Sequence, residues 1–186
     1  MRNFTMELDD QLSWLIGRVV RVGALAEMEA RRVQLALLGD SLAAFMPHTM
    51  HMNATLGSIE AMVKHADLDP DRLSLALRVV VDSRTANSER NRCVHDIWYP
   101  NSDVEADSWI RLRWQKAFDL NDEPPAVKPL VSRAELGRTV EDLDSAGYKL
   151  NCLMRCLVAT LPSWAAARPE PFDYAAPWTE LALAFD

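Results

Sequence analysis

The sequence predicts a mainly α-helical bundle of about four long helices, with a small β-hairpin inserted before the last helix. Over long stretches of the chain, apolar residues recur every three or four positions, which is the period of a helix with one buried face. One short stretch near the middle alternates with period two instead, which is typical of a strand. With 186 residues, 49% of them hydrophobic, the chain can bury one sizeable core.

Two helical regions are expected in the first third of the chain. The first runs from about Glu7 to Leu38, with a charged interruption at Glu29, and Gly39-Asp40 is expected to end it. A second region spans roughly Asp40 to His65, with Pro47 as a break or first-turn residue. The expected buried stripe of the first helix consists of Leu8, Leu12, Leu15, Val19, Val22, Ala26, Glu29 and Val33.

The third helix is expected to begin at Asp69-Pro70-Asp71, with Asp69 as N-cap and Pro70 in the first turn, and to run toward His95. Its first half is apolar, but the same stripe becomes polar in the second half. A helix that only fills a core has no need for such groups, since each must find a partner or stay in water. The polar end therefore faces either solvent or a site, and it consists of Arg84, Asn87, Asn91 and His95.

A hairpin and a final helix are expected after the third helix. Ile97-Trp98-Tyr99 can pair with the alternating segment from Ser108 to Trp114. Ser132, followed three residues later by Glu135, forms a capping box that opens a helix from about Arg133 to Thr160, and Pro162 ends it. The predicted buried side of this helix is Leu136, Val140, Leu143, Tyr148 (weakly), Leu150, Leu153, Leu157 and Leu161.

We expect one helical domain over residues 1–162 and a tail over 163–186. The tail contains prolines and tryptophans, and we expect it to pack on the domain or on a partner. A net charge of −7 argues against a protein whose whole surface coats nucleic acid. We see no secretion signal at Met1–Glu7 and no apolar run long enough to cross a bilayer. We therefore expect a cytoplasmic protein without membrane partners.

Two further sets of residues favour structural roles. His48 and His51 have a spacing that metals use, but no nearby carboxylate or cysteine completes a set, so two surface histidines are favoured. Cys152 and Cys156 lie one helical turn apart and could meet Cys93. Buried thiols behave as small apolar side chains, so core packing of reduced cysteines is favoured. We expect no metal and no other cofactor.

The predicted strand carries two arginines on one face. Arg111 and Arg113 share that face with Trp109, and together they could form a platform for a nucleic-acid strand. A solvated strand face is an equally good interpretation.

The end of the third helix holds the residues best suited to catalysis. Arg90 supplies a permanent cation, and His95 supplies a side chain of a type that can titrate near neutral pH. On an ideal helix Asn91 and His95 share a face, but Arg90 and His95 lie about 140° apart. Arg90 must therefore reach around, or the helix must loosen. Alternatively, Arg90 pairs with an acid such as Asp96, and His95 only complements the helix dipole.

Arg90-Asn91, followed by three residues and then His95, resembles the R-x4-H motif of HEPN-domain proteins. The position after the arginine is often polar in that family, and the motif lies late in the third long helix of a small helical chain. The resemblance covers the order of elements from roughly Glu7 to Thr160, but in residues only Arg90 to His95. It implies an up-down helical bundle and a homodimer whose two motifs meet in one cleft.

The activity that this resemblance implies is metal-independent cleavage of single-stranded RNA, in a toxin or defence setting. RNA carries its own nucleophile, the 2′-hydroxyl, so cleavage needs an acid–base group and a cation to stabilise the phosphorane. His95 would act as base or acid, Arg90 would hold the phosphate, and Asn91 would orient the histidine or a phosphate oxygen. The predicted RNA-binding residues are Arg84, Asn87, Arg92, Arg111 and Arg113.

One departure from the family concerns partners. HEPN toxins that work with a nucleotidyltransferase often carry a tyrosine two residues after the histidine, where this chain has Ile97; Tyr99 lies two residues further on. Modification by such a partner is therefore not expected, although an antitoxin or another protein partner is. The alternative function is a non-catalytic helical module that binds a protein, a nucleotide or RNA, and the acidic pI near 5.1 favours it.

Overall fold

The computed structural model describes residues 8–38, 51–100, 108–112, 130–161 and 175–185. Within these ranges the chain forms a bundle of helices with a small antiparallel sheet, as the sequence predicts. In chain order the elements are α1 (Leu8–Leu38), α2 (Met52–His65), α3 (Pro70–His95), β1 (Ile97–Pro100), β2 (Ser108–Leu112), β3 (Leu130–Ser132), α4 (Arg133–Thr160) and α5 (Ala176–Leu183).

The helix boundaries follow from local capping chemistry. The Asp69 carboxylate accepts a hydrogen bond from the Arg72 amide at 3.0 Å, and Pro70 is the first residue of α3. At the start of α4, the Ser132 hydroxyl accepts from the Glu135 amide while the Glu135 carboxylate accepts from the Ser132 amide. Both predicted helix starts are confirmed. The expected end at Gly39-Asp40 and the segment around Pro47 lie outside the described residues.

The contacts between helices fix their directions. Gln11 of α1 meets Arg133 at the start of α4, and Glu29 of α1 meets Asn151 further along α4, so α1 and α4 run in the same direction. Lys149 of α4 meets Asp82 in the middle of α3, whereas Thr139, nearer the start of α4, meets Cys93 near the end of α3. α3 therefore runs against α4, and α3 also runs against α2, because Asn53 meets Asn87 while Glu60 meets Arg84.

The apolar core of the described ranges consists of two clusters that follow one another along the bundle. One cluster joins the second half of α1 to α2, the start of α3, the end of α4 and α5. The other cluster joins the first half of α1 to the end of α3, the start of α4 and the sheet. On α1 the division falls between Val22 and Ala26, where Gly23 lies. On α3 it falls between Val80 and Ala86. The polar stripe of α3, which starts at Arg84, begins at this division.

The sheet has the order β1-β2-β3, and all its pairs are antiparallel. Pairing of Trp98 with Arg111 and of Tyr99 with Ile110 confirms the predicted hairpin, whose second strand is described to Leu112. The third strand was not predicted. With three residues, directly before α4, this strand is too short to show an alternating pattern. It forms by pairing with the edge of β2 that β1 does not occupy.

Two aromatic residues correct the sequence-based predictions. Trp109 is fully buried in the cluster beneath the sheet, so it cannot stack on a nucleic-acid base. Trp109 therefore cannot be part of the predicted platform, and Arg113 lies outside the described residues. Tyr148, predicted weakly to be buried, is 51% exposed, and its hydroxyl donates to Glu180 at 3.1 Å. A phenol remains at the surface because its hydroxyl has a charged partner there.

The three cysteines are free and buried, which confirms their prediction as packing residues. Cys93 belongs to the cluster beneath the sheet, while Cys152 and Cys156 belong to the other cluster. Burial raises the pKa of the Cys93 thiol, and it raises the pKa of Cys156 to about 12. These thiols therefore remain protonated and act as small apolar side chains.

The described part of the C-terminal tail packs on the bundle. Trp178 and Leu181 of α5 are buried, and the Trp178 indole donates to the Thr160 hydroxyl at 2.8 Å. Glu180 accepts from Arg155 of α4 at 2.6 Å. Among the described helices, none combines the length and apolarity needed to cross a membrane.

We expect Trp178→Ala to destabilise the whole domain, because removing a large side chain from a packed core costs about 3–5 kcal/mol. Leu183→Ala is the matched control in α5: this side chain is 65% exposed, and the change should cost less than about 0.5 kcal/mol. Urea denaturation measures both. Equal, small losses would contradict docking of α5 in solution.

Candidate functional site

α3 remains helical through His95. Its C-cap is Asp96, whose amide donates to the Arg92 carbonyl at 3.1 Å. The helix therefore does not loosen, and Arg90 instead reaches around it: Nη1 of Arg90 donates to Oδ1 of Asn91 at 3.0 Å. The structure thus brings two of the three predicted catalytic side chains into direct contact.

His95 lies in the last turn of α3 and is exposed. On an ideal helix it is one turn beyond Asn91 and rotated from it by only about 40°. Within the described part of the chain, its ring forms no hydrogen bond or ion pair. Arg90, Asn91 and His95 therefore lie at one end of one helix, with the imidazole open to solvent.

The alternative interpretation of Arg90 as half of an ion pair does not hold within the described residues. No carboxylate among them lies within ion-pair distance of its guanidinium. The Asp96 carboxylate, proposed as that partner, is instead 3.6 Å from Nε of Arg111. The position of His95 in the last turn does suit favourable interaction with the helix dipole, so this part of the alternative stays open.

Arg84 and Asn87, which precede Asn91 along the polar stripe of α3, contact α2. Nη1 of Arg84 lies 2.6 Å from the Glu60 carboxylate, and hydrogen bonds from Lys64 and Arg84 lower the pKa of Glu60. Asn87 is only 5% exposed, and its amide nitrogen donates to Oδ1 of Asn53 at 2.9 Å. The side chain therefore joins α2 to α3, and its contact with RNA stays a prediction.

Two further predicted RNA-binding residues are Arg92, which lies on α3, and Arg111, which lies on β2. Arg92 is exposed and pairs with Glu89 at 2.6 Å. The Arg111 side chain is 19% exposed, close to Asp96 and over the Trp98 ring. Arg111 also lies 4.0 Å from Glu89, which on an ideal helix is about 160° from Asn91, so Arg111 contacts α3 on a different side from Asn91. RNA binding by Arg84, Arg92 and Arg111 stays a prediction, and Arg113 lies outside the described residues.

A cavity of about 260 Å³ opens on this other side of α3, between α3, α4 and the sheet. Its lining combines acids and bases with the Cys93 thiol, so it is not a uniformly basic groove of the kind that follows a nucleic-acid backbone. The charged and polar lining residues are Glu89, Arg111, Glu135, Arg138, Thr139 and Asp142.

A residue of the site that the sequence predictions missed is Gly23. A Cβ atom at this position of α1 would lie 3.1 Å from both Cγ and Nε of Arg90, so the arginine stem lies directly on the α1 backbone. The signal in the sequence is a glycine inside a strongly periodic helix, which costs about 1 kcal/mol relative to alanine and thus suggests a packing reason. Asn53, the partner of Asn87, was also missed.

Comparison with known proteins returned no match to a protein-family model, to a curated protein or to a solved structure. The resemblance to HEPN proteins therefore rests on Arg90–His95 and on the order of the elements.

We expect Asn87→Ala to cost about 0.5–1.5 kcal/mol of stability, because the hydrogen bond that joins α2 to α3 is lost. His95→Ala should cost less than about 0.5 kcal/mol, since this exposed ring has no described partner. Thermal unfolding of both variants provides the comparison. A large loss for His95→Ala would support a purely structural, helix-capping histidine.

Proposed function

We propose that this protein is a metal-independent endoribonuclease of HEPN type that cleaves single-stranded RNA. The observation that supports this most strongly is the contact of Arg90 with Asn91 at 3.0 Å, one turn before the exposed His95. A cation and an acid–base group at one surface are what attack by a 2′-hydroxyl requires.

In the proposed reaction, an imidazole takes the proton of the 2′-hydroxyl, whose oxygen then attacks the adjacent phosphorus. The bond from phosphorus to the 5′-oxygen breaks, and that oxygen receives a proton from an acid. The products are a 2′,3′-cyclic phosphate and a 5′-hydroxyl. Arg90 would stabilise the charge on the phosphorane, and Asn91 would hold the guanidinium in place rather than the imidazole.

The reaction is better served by two histidines than by one, since base and acid act on opposite sides of the phosphorus. Each chain contributes one motif histidine, His95, at an exposed helix end. We therefore propose a two-fold dimer in which the surfaces with Asn91 and His95 face each other, so that the two copies supply base and acid. A cytoplasmic toxin or defence role, with an antitoxin partner, belongs to the same proposal.

The second candidate is a non-catalytic module that binds a protein, a nucleotide or RNA. It is favoured by the ion pairs of the other arginines near the motif: Arg84 is paired with Glu60, and Arg92 with Glu89. A surface whose cations already have partners attracts a polyanion weakly. A wild-type protein that binds single-stranded RNA but does not cleave it would favour this candidate over the enzyme.

Purified protein should cut single-stranded RNA in excess chelator and leave 2′,3′-cyclic phosphate ends, whereas DNA, which lacks the 2′-hydroxyl, should survive. His95→Ala and Arg90→Ala should each reduce cleavage by at least about 100-fold, the usual contribution of an acid–base group. His65→Ala is the matched control, because His65 is also an exposed histidine in the last turn of a helix. Cleavage that survives His95→Ala, or that requires added divalent metal, would contradict the proposed site.

The proposed dimer makes a separate prediction for light scattering at micromolar concentration. The protein should have twice the mass of one chain, and His95→Glu should weaken the dimer at least about tenfold, or ~1.4 kcal/mol, by placing two carboxylates opposite each other. His65→Glu carries the same charge change at a different helix end and should leave the dimer intact. A monomeric wild-type protein would exclude the shared site.

A further inference from the structure

We infer that Gly23 of α1 is a positioning residue for Arg90: its missing side chain forms the slot that directs the guanidinium to Asn91. This inference rests on the proposed function for the role of Arg90 in the reaction, but the slot itself can be tested without RNA. It follows from the contact between the two residues, from the burial around them, and from a comparison with a second glycine of α1.

The first observation is the closeness of the contact. A Cβ at position 23 would be 3.1 Å from Cγ and from Nε of Arg90, and 3.5 Å from Cδ. Three successive atoms of the arginine therefore run along the α1 backbone. Ordinary contacts between carbon atoms lie at about 3.5–4.0 Å, so an added methyl group would have to push the stem away by a few tenths of an ångström.

The second observation is the limited room for such a movement. Arg90 lies on the inward side of α3: Ala86, Asn87 and Cys93, one turn before or after it, are all buried. Its Nε is itself enclosed and makes no hydrogen bond within the described residues. Beyond Nε, the guanidinium is held by the 3.0 Å bond to Asn91. A displaced stem would therefore be expected to move the guanidinium and to lengthen this bond.

The consequence for the proposed reaction is specific. An arginine on the inward side of a helix can act at the surface only if its stem is guided outward between the helices. Gly23 provides that path, so the direction of the cation depends on α1 as well as on α3. Because a misplacement of about 1 Å can cost about 100-fold in rate, a small shift of the guanidinium should reduce the rate of the chemical step more than it reduces binding.

Gly17 provides a matched control within the same helix. It is exposed, and a Cβ there would have no atom of the described residues within 4 Å. Alanine favours a helix over glycine equally at both positions, so helix propensity by itself would raise the melting temperature of each variant by about 2–4 °C. A difference between the two variants therefore reports the contact with Arg90 and not helix propensity.

The experiment is a double-mutant cycle with Gly23→Ala and Arg90→Ala, repeated with Gly17→Ala. Gly17→Ala should raise the melting temperature whether or not Arg90 is present. Gly23→Ala should lack this increase in the wild-type background and regain it in the Arg90→Ala background. If Gly23→Ala and Gly17→Ala behave alike in both backgrounds, the slot is refuted.

RNA cleavage then separates positioning from packing. Gly23→Ala should lower kcat at least about tenfold with little change in KM, whereas Gly17→Ala should cleave like the wild type. Coupling in the melting temperature combined with wild-type cleavage by Gly23→Ala would overturn the positioning role. If the wild-type protein cuts no RNA, the proposed function fails, but the coupling between Gly23 and Arg90 in the stability cycle would still establish the slot.

Discussion

The interaction on which the site depends is the passage of one charged side chain between two helices. Arg90 lies on the inward side of α3, where a long cationic residue cannot remain unless its head reaches water or a polar partner. The bundle accommodates it because α1 has no side chain at Gly23 and because Asn91 accepts a hydrogen bond from the guanidinium. The apolar core is divided into two clusters at this level.

The same division explains the position of α2. Its buried apolar residues all belong to the cluster around the second half of α1, and its first turn meets α3 at the level of Asn87. The bond between Asn53 and Asn87 supplies partners for polar groups where apolar packing stops. Beyond this level, Asn91 and His95 continue the stripe past the described start of α2. The apolar half of α3 thus supports the fold, and its polar half leads to the candidate site.

Most of the fold was predictable because local chemistry determines where the helices begin. Asp69-Pro70 and the pair Ser132 and Glu135 mark two helix starts in the sequence, and side-chain hydrogen bonds form there as expected. The failures concern residues whose environment is set by distant parts of the chain. β3 needs β2 as its partner, Trp109 is buried because helices cover one face of the sheet, and Tyr148 stays exposed beside Glu180 of α5.

The candidate site shows the same limit to prediction. The motif could be recognised in the sequence, but the hydrogen-bond partner of its arginine could not. A guanidinium paired with a carboxylate is neutralised and must lose that partner before it binds a phosphate. Arg84 and Arg92 are in this state, with Glu60 and Glu89 as partners. Arg90 is hydrogen-bonded to the neutral amide of Asn91, so no carboxylate among the described residues balances its positive charge. A hydrogen bond to an amide orients a cation without cancelling it, and this distinguishes Arg90 from the arginines on either side of it along α3.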